Sequence, residues 1–312
     1  MKRIRTYRVL IVLLRSTMLL ASVWFGLSAA GVAQTDKAAL CVQVQRTGSV
    51  PVAGYVFETY ESTDVDGPAC FRIYQGGKMV YQSPDDGSER YYLGQLADAQ
   101  YKIPAVPDGT DLTGRGRPDM IVTSWSGGAH CCYTRYVFEL SPALRLLQTI
   151  EDGDTEGHFE SRGGKRAYDY LTWDLWSYWP GSFASSVQHK VILAWRGDAL
   201  QLDLEAMRGP APTPQEWTAD LKAVDDAVKG DNDRETVGLA LWGTTLHLIY
   251  TGHSDLAWKF VREANPDAMK GTNASLGDFC DMLQGDQYWP ELRATMREMP
   301  RECQTVGPPA KE

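Results

Sequence analysis

Two patterns of apolar residues divide the chain. Between residues 40 and 204, short apolar runs such as "MIVTSW" and "YVFEL" are separated by Gly, Pro, Asp and Ser. Runs of this length and composition predict β-strands. Three pairs of runs are joined by short turns at Gly76-Gly77, Ser141-Pro142 and Gly197-Asp198, and therefore predict hairpins. The turns are 65 and 56 residues apart, which indicates a degenerate repeat.

Beyond residue 207 the apolar residues recur at the three- and four-residue spacing of helices. Thr213, Pro214 and Glu216 supply an N-cap, a first-turn proline and a capping box for a helix that runs to about Val228. Four more helices are predicted over residues 235–250, 254–264, 275–284 and 289–299.

These patterns predict an α+β protein. Residues 38–207 form an antiparallel β-repeat domain, 208–213 a linker, 213–303 a small helical domain and 304–312 a tail. Three repeats are fewer than the four to eight blades of an ordinary closed propeller. A sandwich-like or partly propeller-like sheet is therefore expected.

The N-terminus has the composition of an export signal. Four basic residues precede an apolar stretch, and small residues follow up to Ala33. This predicts a signal peptide over residues 1–33, with an uncleaved membrane anchor as the alternative. No later apolar stretch is long enough to span a bilayer, so we expect a periplasmic or secreted protein without a membrane span after cleavage.

Charge and cysteine content narrow the class further. The formal net charge of −9, without a Lys/Arg cluster, argues against a nucleic-acid partner. Six cysteines in an exported chain indicate disulfides. Cys280 and Cys303 lie alone in the C-terminal part and are expected to pair, stapling the helical domain. For the others, either Cys41 joins Cys70 and Cys131 joins Cys132, or the first two each reach one of the second two.

The segment "DLTGRGRPD" has the spacing of an oxygen-ligand calcium loop. Asp111, Thr113 and Asp119 occupy ligand positions, and Gly114 and Gly116 permit the tight turn. The frame, followed by an apolar strand, resembles the FG-GAP and VCBS repeats of integrin-like β-propellers. That resemblance implies a calcium loop inside a blade. It extends to exported proteins of Gram-negative bacteria that carry such a loop, for which membership names no reaction.

Arg115 departs from that family pattern, because an aspartate usually stands there. One hypothesis is that its guanidinium lies between the carboxylates of Asp111 and Asp119 and replaces the metal. The alternative is an ordered turn in which Arg115 points to solvent.

A second acidic run, "DGDTEGHFE", offers another candidate calcium site. Its acidic residues at relative positions 1, 3, 5 and 9 follow EF-hand spacing, although position 12 is Gly163. The alternative is a solvated loop. The candidate ligands are Asp152, Asp154, Glu156 and Glu160.

The stretch "YLTWDLWSYWPGSF" concentrates aromatic side chains around one carboxylate. Strand alternation predicts Trp173 and Trp179 on one face and Asp174, Trp176 and Tyr178 on the other. Such a cluster is suited to stacking on a sugar or to a protein interface, and core packing is the alternative.

No complete catalytic motif is present. We therefore expect a non-enzymatic binding module for an unidentified protein or carbohydrate ligand of the cell envelope, with calcium as its candidate cofactor. A hydrolase of glycans or another envelope polymer is the alternative, although it needs a second carboxylate that the sequence does not identify.

Overall fold

Twelve strands and six helices make up the described part of the chain. The computed structural model describes residues 41–64, 67, 69–84, 87–128, 132–230, 234–264 and 274–304. The predicted signal peptide and nearly all of the predicted tail lie outside these residues.

The strands form three antiparallel sheets, each made of four consecutive strands. Sheet 1 contains β1 (Val44–Val52), β2 (Tyr55–Ser62), β3 (Cys70–Gln75) and β4 (Lys78–Gln82). Sheet 2 contains β5 (Arg90–Leu93), β6 (Asp119–Trp125), β7 (Tyr133–Glu139) and β8 (Arg145–Gly153). Sheet 3 contains β9 (His158–Glu160), β10 (Asp169–Trp176), β11 (Val187–Arg196) and β12 (Ala199–Leu202). The α+β class and the antiparallel pairing are as predicted.

The three predicted hairpins are confirmed, and they occupy the same place in every sheet. They are the third and fourth strands of each sheet, turning at Gly76-Gly77, Ser141-Pro142 and Gly197-Asp198. Gly76 and Gly77 both have positive φ, of 57° and 80°, which a two-residue turn of the I′ type requires and which glycine adopts without strain.

The six helices follow the strands. They are α1 (Leu204–Met207), α2 (Pro214–Lys229), α3 (Arg234–Tyr250), α4 (Ser254–Glu263), α5 (Leu276–Gly285) and α6 (Trp289–Thr295). The predicted capping box of α2 is present: the Glu216 amide donates to Thr213 Oγ1 at 3.2 Å, and the Thr213 amide donates to Glu216 Oε2 at 2.7 Å. The short helix α1 was not predicted.

Two hydrophobic cores hold these elements together. Sheets 1 and 2 share an aromatic core in which Phe57 and Phe71 contact Phe138, with ring centroids 5.8 and 6.0 Å apart. The second core joins sheet 3 to the helices, where the Trp242 ring stacks on Phe279 at 4.6 Å. The helices therefore pack against sheet 3. Whether residues 38–207 and 213–303 also fold as separate domains stays a prediction.

Two disulfide pairings can be read from the structure. Cys280 and Cys303 are paired as predicted, with Cα atoms 4.8 Å apart. Cys41 is paired with Cys70, with Cα atoms 6.0 Å apart, and this pairing excludes the crosswise alternative. Cys131 lies outside the described residues, so its pairing with Cys132 stays a prediction.

Candidate functional site

The loop over residues 111–119 connects β5 to β6 and is organised by the carboxylate of Asp111. Asp111 Oδ1 accepts from the Arg115 amide at 2.9 Å, and Oδ2 accepts from the Gly116 amide at 2.6 Å. Thr113 Oγ1 donates to Asp111 Oδ1 at 3.3 Å. Gly114 and Gly116 have φ of 75° and 79°, as the predicted tight turn requires. Backbone amides therefore donate to the Asp111 oxygens that the sequence predicts as metal ligands.

Asp119 closes the same loop from the start of β6. Its Oδ2 accepts from the amides of Leu112 at 2.9 Å and Thr113 at 3.2 Å. Its Oδ1 is buried and has no hydrogen-bond partner among the described residues. Burial raises the pKa of Asp119 to about 6, and the charges of Asp111 and Glu139 act in the same direction.

Arg115 does not lie between Asp111 and Asp119, as the metal-replacement hypothesis requires. Its Nη2 lies 2.9 Å from Oε2 of the buried Glu139, and its Nη1 contacts Asp198 in the turn between β11 and β12. The carboxylate of Asp111 already accepts hydrogen bonds from amides, whereas Glu139 is a buried charge that needs cationic partners. Arg117 and Arg145 also reach Glu139, at 3.0 and 3.1 Å. Arg115 therefore links sheet 2 to sheet 3.

The side chains of the loop, as they lie in the structure, supply few free oxygens for a calcium ion. Calcium takes six to eight oxygen ligands, several of them anionic. The loop offers Asp111, Thr113 and one free oxygen of Asp119, and Arg166 Nε already lies 3.6 Å from Asp111 Oδ2. Within the described ranges, no group of three or more His, Cys, Asp or Glu side chains is placed to hold a metal.

Replacing Asp111 by alanine is expected to destabilise the protein by about 2 kcal/mol, because hydrogen bonds to a charged acceptor are worth roughly 1.5–3 kcal/mol. Thermal unfolding would be measured in EDTA and in calcium, and the loss should be the same in both. Asp111→Asn, which keeps one acceptor oxygen, should lose less. A melting temperature that rises with calcium in the parent and not in Asp111→Ala would place a cation in the loop.

The four carboxylates of the second acidic run point to different partners. Asp152, at the end of β8, pairs with the buried Arg135. Asp154 accepts from the Ser177 hydroxyl. Glu156 Oε1 lies 3.6 Å from Arg135 Nη2, and Glu160 Oε2 lies 3.8 Å from His158 Nε2. The EF-hand spacing does not produce a convergent set here, because Asp152 belongs to a strand rather than to a loop.

The carboxylate of Asp152 makes its hydrogen bonds and its ion pair within the core. Besides Arg135, its carboxylate accepts from the Tyr170 hydroxyl at 2.5 Å and from the Thr172 hydroxyl at 2.9 Å. Burial is the largest influence on its pKa and raises it, while the nearby Arg135 guanidinium opposes that rise. The cluster is a closed polar network between sheets 2 and 3.

The five residues of the aromatic stretch separate into exposed and buried groups. Trp173 and Tyr178 are 45% and 60% exposed, whereas Trp176 and Trp179 are buried against Phe279. The predicted alternation is wrong beyond Trp176. Strand β10 ends there, and Tyr178 adopts a left-handed φ of 60°, so Trp179 joins Trp176 in the core instead of Trp173 outside.

Asp174 lies on the covered face of β10 and meets a second carboxyl. The Tyr250 hydroxyl donates to Asp174 Oδ2 at 2.5 Å, and Asp286 is a hydrogen-bond partner of the Asp174 carboxyl. Trp176 Nε1 donates to Asp286 Oδ2 at 3.0 Å. Burial, followed by the charge of Asp286, raises the pKa of Asp174 to about 8. The pair joins sheet 3 to the segment between α5 and α6, with Asp174 buried and Asp286 half-buried.

Trp173 lies on the opposite, open face of β10, where it lines a groove of about 910 Å³. The groove is bounded by residues 100–103, by the connection from β8 to β9 and by the turn over Phe183–Ser185. Three further aromatic side chains line it, those of Tyr101, Tyr133 and Phe183. The groove combines exposed aromatic and polar side chains on an open sheet face, and we take it as the candidate site.

Charged side chains of both signs share the groove with these rings. They are Lys102, Asp154, Glu156 and Lys190, and the imidazole of His158 lies among them. Lys190 is the cross-strand partner of Trp173 in the pairing of β10 with β11. Burial lowers the pKa of His158, which therefore favours the neutral imidazole. The site thus offers stacking surfaces together with donors and acceptors.

Sequence reasoning identified only part of this site. Trp173, Asp154 and Glu156 were singled out, but for different sites. Tyr101, Tyr133 and the two lysines were not, because they come from other segments of the chain. Phe183 ends the aromatic stretch but was not among its candidate residues. The one sequence signal for Lys190 is the alternation of side chains along β11, which places Lys190 across from Trp173.

Scans against protein-family models, curated proteins and solved structures find no match to this chain. No helix in the described part of the chain is both long enough and apolar enough to cross a membrane.

Proposed function

We propose that this protein is an exported, non-enzymatic binding module whose groove takes a carbohydrate segment of the cell envelope. The observation that carries the proposal is the half-exposed indole of Trp173 on the floor of the groove. An indole left exposed on an open sheet face gains no folding energy from the exposed part of its surface. Its flat apolar face is available to a ligand.

The surroundings of Trp173 match the chemistry of a sugar. Tyr101 and Phe183 offer further ring faces, and the C–H face of a pyranose packs well on aromatic rings. Hydroxyl groups of the sugar require polar partners, and Lys190, His158 and Glu156 supply both donors and acceptors. The volume of about 910 Å³ is within the range of ligand clefts and accommodates more than one sugar unit.

The repeat organisation supports a scaffold function. Each sheet consists of four consecutive strands, and sheets 2 and 3 both carry a loop between their first and second strands. We propose that the sheets are three degenerate repeats, partly propeller-like, with the groove formed where the second and third repeats meet. The disulfides support the proposal that the protein works in the periplasm or outside the cell.

Replacing Trp173 by alanine is expected to weaken glycan binding at least about tenfold, equivalent to ~1.4 kcal/mol. Calorimetry with soluble fragments of peptidoglycan and of other envelope polysaccharides would measure this. Met79→Ala is the control, since Met79 is as exposed as Trp173 but lies on β4 of sheet 1. Equal binding by Trp173→Ala and by the parent would overturn the proposal.

A second candidate function is hydrolysis of the same polymers, which the joint presence of Asp154 and Glu156 in the groove favours. Glycosidases use two carboxylates on either side of the scissile bond. Release of reducing ends by the parent, abolished in both Asp154→Asn and Glu156→Gln, would establish the enzyme. Binding without release would support the module.

A further inference from the structure

The exposed aromatic side chains in the described part of the chain lie in or beside the groove. They are those of Tyr92, Tyr101, Trp173 and Tyr178. Every other Phe, Trp or Tyr side chain that the structure describes is buried or half-buried. An exposed ring gains no folding energy from its exposed surface, so a concentration of such rings in one region indicates a binding surface. Two of the four, Tyr92 and Tyr178, do not line the groove itself.

Tyr178 extends the aromatic surface on the side of sheet 3. Its ring centroid lies 5.5 Å from that of Phe183, which lines the groove. The backbone of Tyr178 has a left-handed φ of 60°, a conformation that bulky side chains rarely adopt. Its amide donates to Ser186 Oγ at 2.9 Å, which holds this conformation in place. The fold thus keeps the ring in solvent beside the groove, and strain of this kind is concentrated at functional sites.

Tyr92 extends the aromatic surface on the side of sheet 2. It pairs with Thr123 across β5 and β6. Two residues further along β6, Trp125 pairs with Tyr133 of β7, so Tyr92 and Tyr133 share one face of the sheet. Tyr133 lines the groove. The two hydroxyl groups are close enough to interact, because Tyr92 helps to raise the pKa of Tyr133, after burial and the charge of Glu156.

Tyr101 lies near the tip of an arm that is fixed beside the groove. Two isolated β-bridges close residues 95–106 into this arm. The side-chain amide of Gln95 donates to the Phe159 carbonyl oxygen at 2.8 Å and accepts from the Phe159 amide at 2.7 Å, as a neighbouring strand would. Asp98 Oδ1 accepts from the Tyr101 amide at 3.2 Å. The ring is therefore positioned before a ligand binds, which lowers the entropic cost of binding.

We infer that the ligand of the groove is a linear polysaccharide, with sugar units stacked on Tyr92 and Tyr178 as well as on Trp173. This inference rests on the proposed function and adds the class of ligand to it. Both tyrosines lie outside the lining of the groove, so only a chain longer than the groove reaches them.

The distribution of the rings favours a polysaccharide over a protein partner. Aromatic anchors of protein interfaces cluster near the centre of the contact surface. Here the rings are distributed over two sheets and an arm, and polar side chains lie among them. Gln100 and Gln188 line the groove together with its charged residues and offer both donors and acceptors to sugar hydroxyls.

Two length series of oligosaccharides test this inference, glycan strands from peptidoglycan and oligomers of chitin. Calorimetry with the purified protein would compare the disaccharide, the tetrasaccharide and the octasaccharide of each. For the series that binds, we expect the affinity of the parent to rise at least about tenfold from the disaccharide to the octasaccharide. Trp173→Ala should weaken the binding of every member.

The two outer tyrosines should act on the long members alone. Tyr92→Ala and Tyr178→Ala should each weaken octasaccharide binding by roughly three- to tenfold, the range for loss of one stacked ring, and leave disaccharide binding unchanged. Tyr92→Phe and Tyr178→Phe keep the ring and should keep the affinity. Leu239→Ala, which removes an exposed apolar side chain from α3, is the control.

Failure of this inference and failure of the proposed function give different results. No binding of any member by the parent would contradict both, and a protein partner would then be sought for the exposed rings. A disaccharide that binds as tightly as the octasaccharide would overturn the extended site and leave the groove as a site for a short sugar. Unchanged octasaccharide binding in both alanine variants, or an equal loss in Leu239→Ala, would also overturn it. The replaced side chains are exposed, so the variants should fold, and melting temperatures without ligand check this.

Discussion

Replacement of Arg135 by methionine is expected to lower the free energy of unfolding by about 3–5 kcal/mol at neutral pH, the usual effect of removing one partner from a buried ion pair. Arg135 is only 3% exposed and pairs with the equally buried Asp152. Without the guanidinium, Asp152 keeps hydrogen bonds from Tyr170 and Thr172 but loses its opposite charge. The loss should be measurable by urea denaturation.

The destabilisation in Arg135→Met should increase with pH. Burial raises the pKa of Asp152 in the folded protein, and Arg135 is the main group that holds it down. In the variant the folded carboxyl therefore keeps its proton to a higher pH than the unfolded one. Stability from such a group is complete at low pH and is lost as the pH rises through the folded pKa.

Two further variants separate charge from packing. Asp152→Asn combined with Arg135→Met removes both charges and should recover a large part of the lost stability. Arg145→Met removes a half-exposed arginine from the surface network and should lower stability much less than Arg135→Met does. The loss of stability in the double variant is compared with the losses in Arg135→Met and Asp152→Asn measured alone. If it equals their sum, the ion pair is not the cause.

The second large effect is expected at Asp174. The parent protein should lose stability as the pH rises, and Asp174→Asn should abolish the part of that loss that comes from this carboxyl. The pKa of the folded carboxyl is raised to about 8, first by burial and then by Asp286. An unfolded aspartate releases its proton near pH 4. Between these values the folded state binds more protons, so the free energy of unfolding falls with rising pH by up to about 1.4 kcal/mol per unit.

An asparagine at residue 174 cannot ionise, yet it accepts from Tyr250 and donates to Asp286 as the protonated carboxyl does. It should match the parent below about pH 4 and be several kcal/mol more stable at pH 8. Chemical denaturation over that range measures the difference. Asp226→Asn on the exposed face of α2 is the control. Because the buried Asp119 also contributes a negative slope, the difference between the two curves isolates Asp174. Parallel curves would contradict the prediction.

The arrangement of the carboxyl pair explains why the sequence did not identify it. Asp174 and Asp286 are 112 positions apart and meet only because α5 packs on the covered face of sheet 3. The sequence shows one acid among tryptophans and does not identify a second. The structure supplies the second on the covered face of sheet 3, where Asp174 is buried and Asp286 is half-buried, so the pair joins the helices to the sheet and does not line the groove.

Arg115 illustrates the same limit at shorter range. The spacing of Asp111, Gly114 and Gly116 predicts the loop backbone, since each acts within five residues. The position of the Arg115 guanidinium depends on Glu139 in β7 and Asp198 beyond β11. The spacing of the loop residues carries no information about either partner. The predicted replacement of a metal therefore failed although the predicted turn was right.

What the sequence determined by itself was local: the three hairpins, the capped helices and the glycine-dependent loop, because turn geometry and apolar periodicity depend on residues a few positions apart. The pairing of Cys280 with Cys303 was also predictable, since no other cysteine lies near them in the chain. Only the tertiary structure decided which side chains share a site. The groove around Trp173 and the carboxyl pair each combine residues from distant segments. Long-range packing brings them together, and burial then sets their charges.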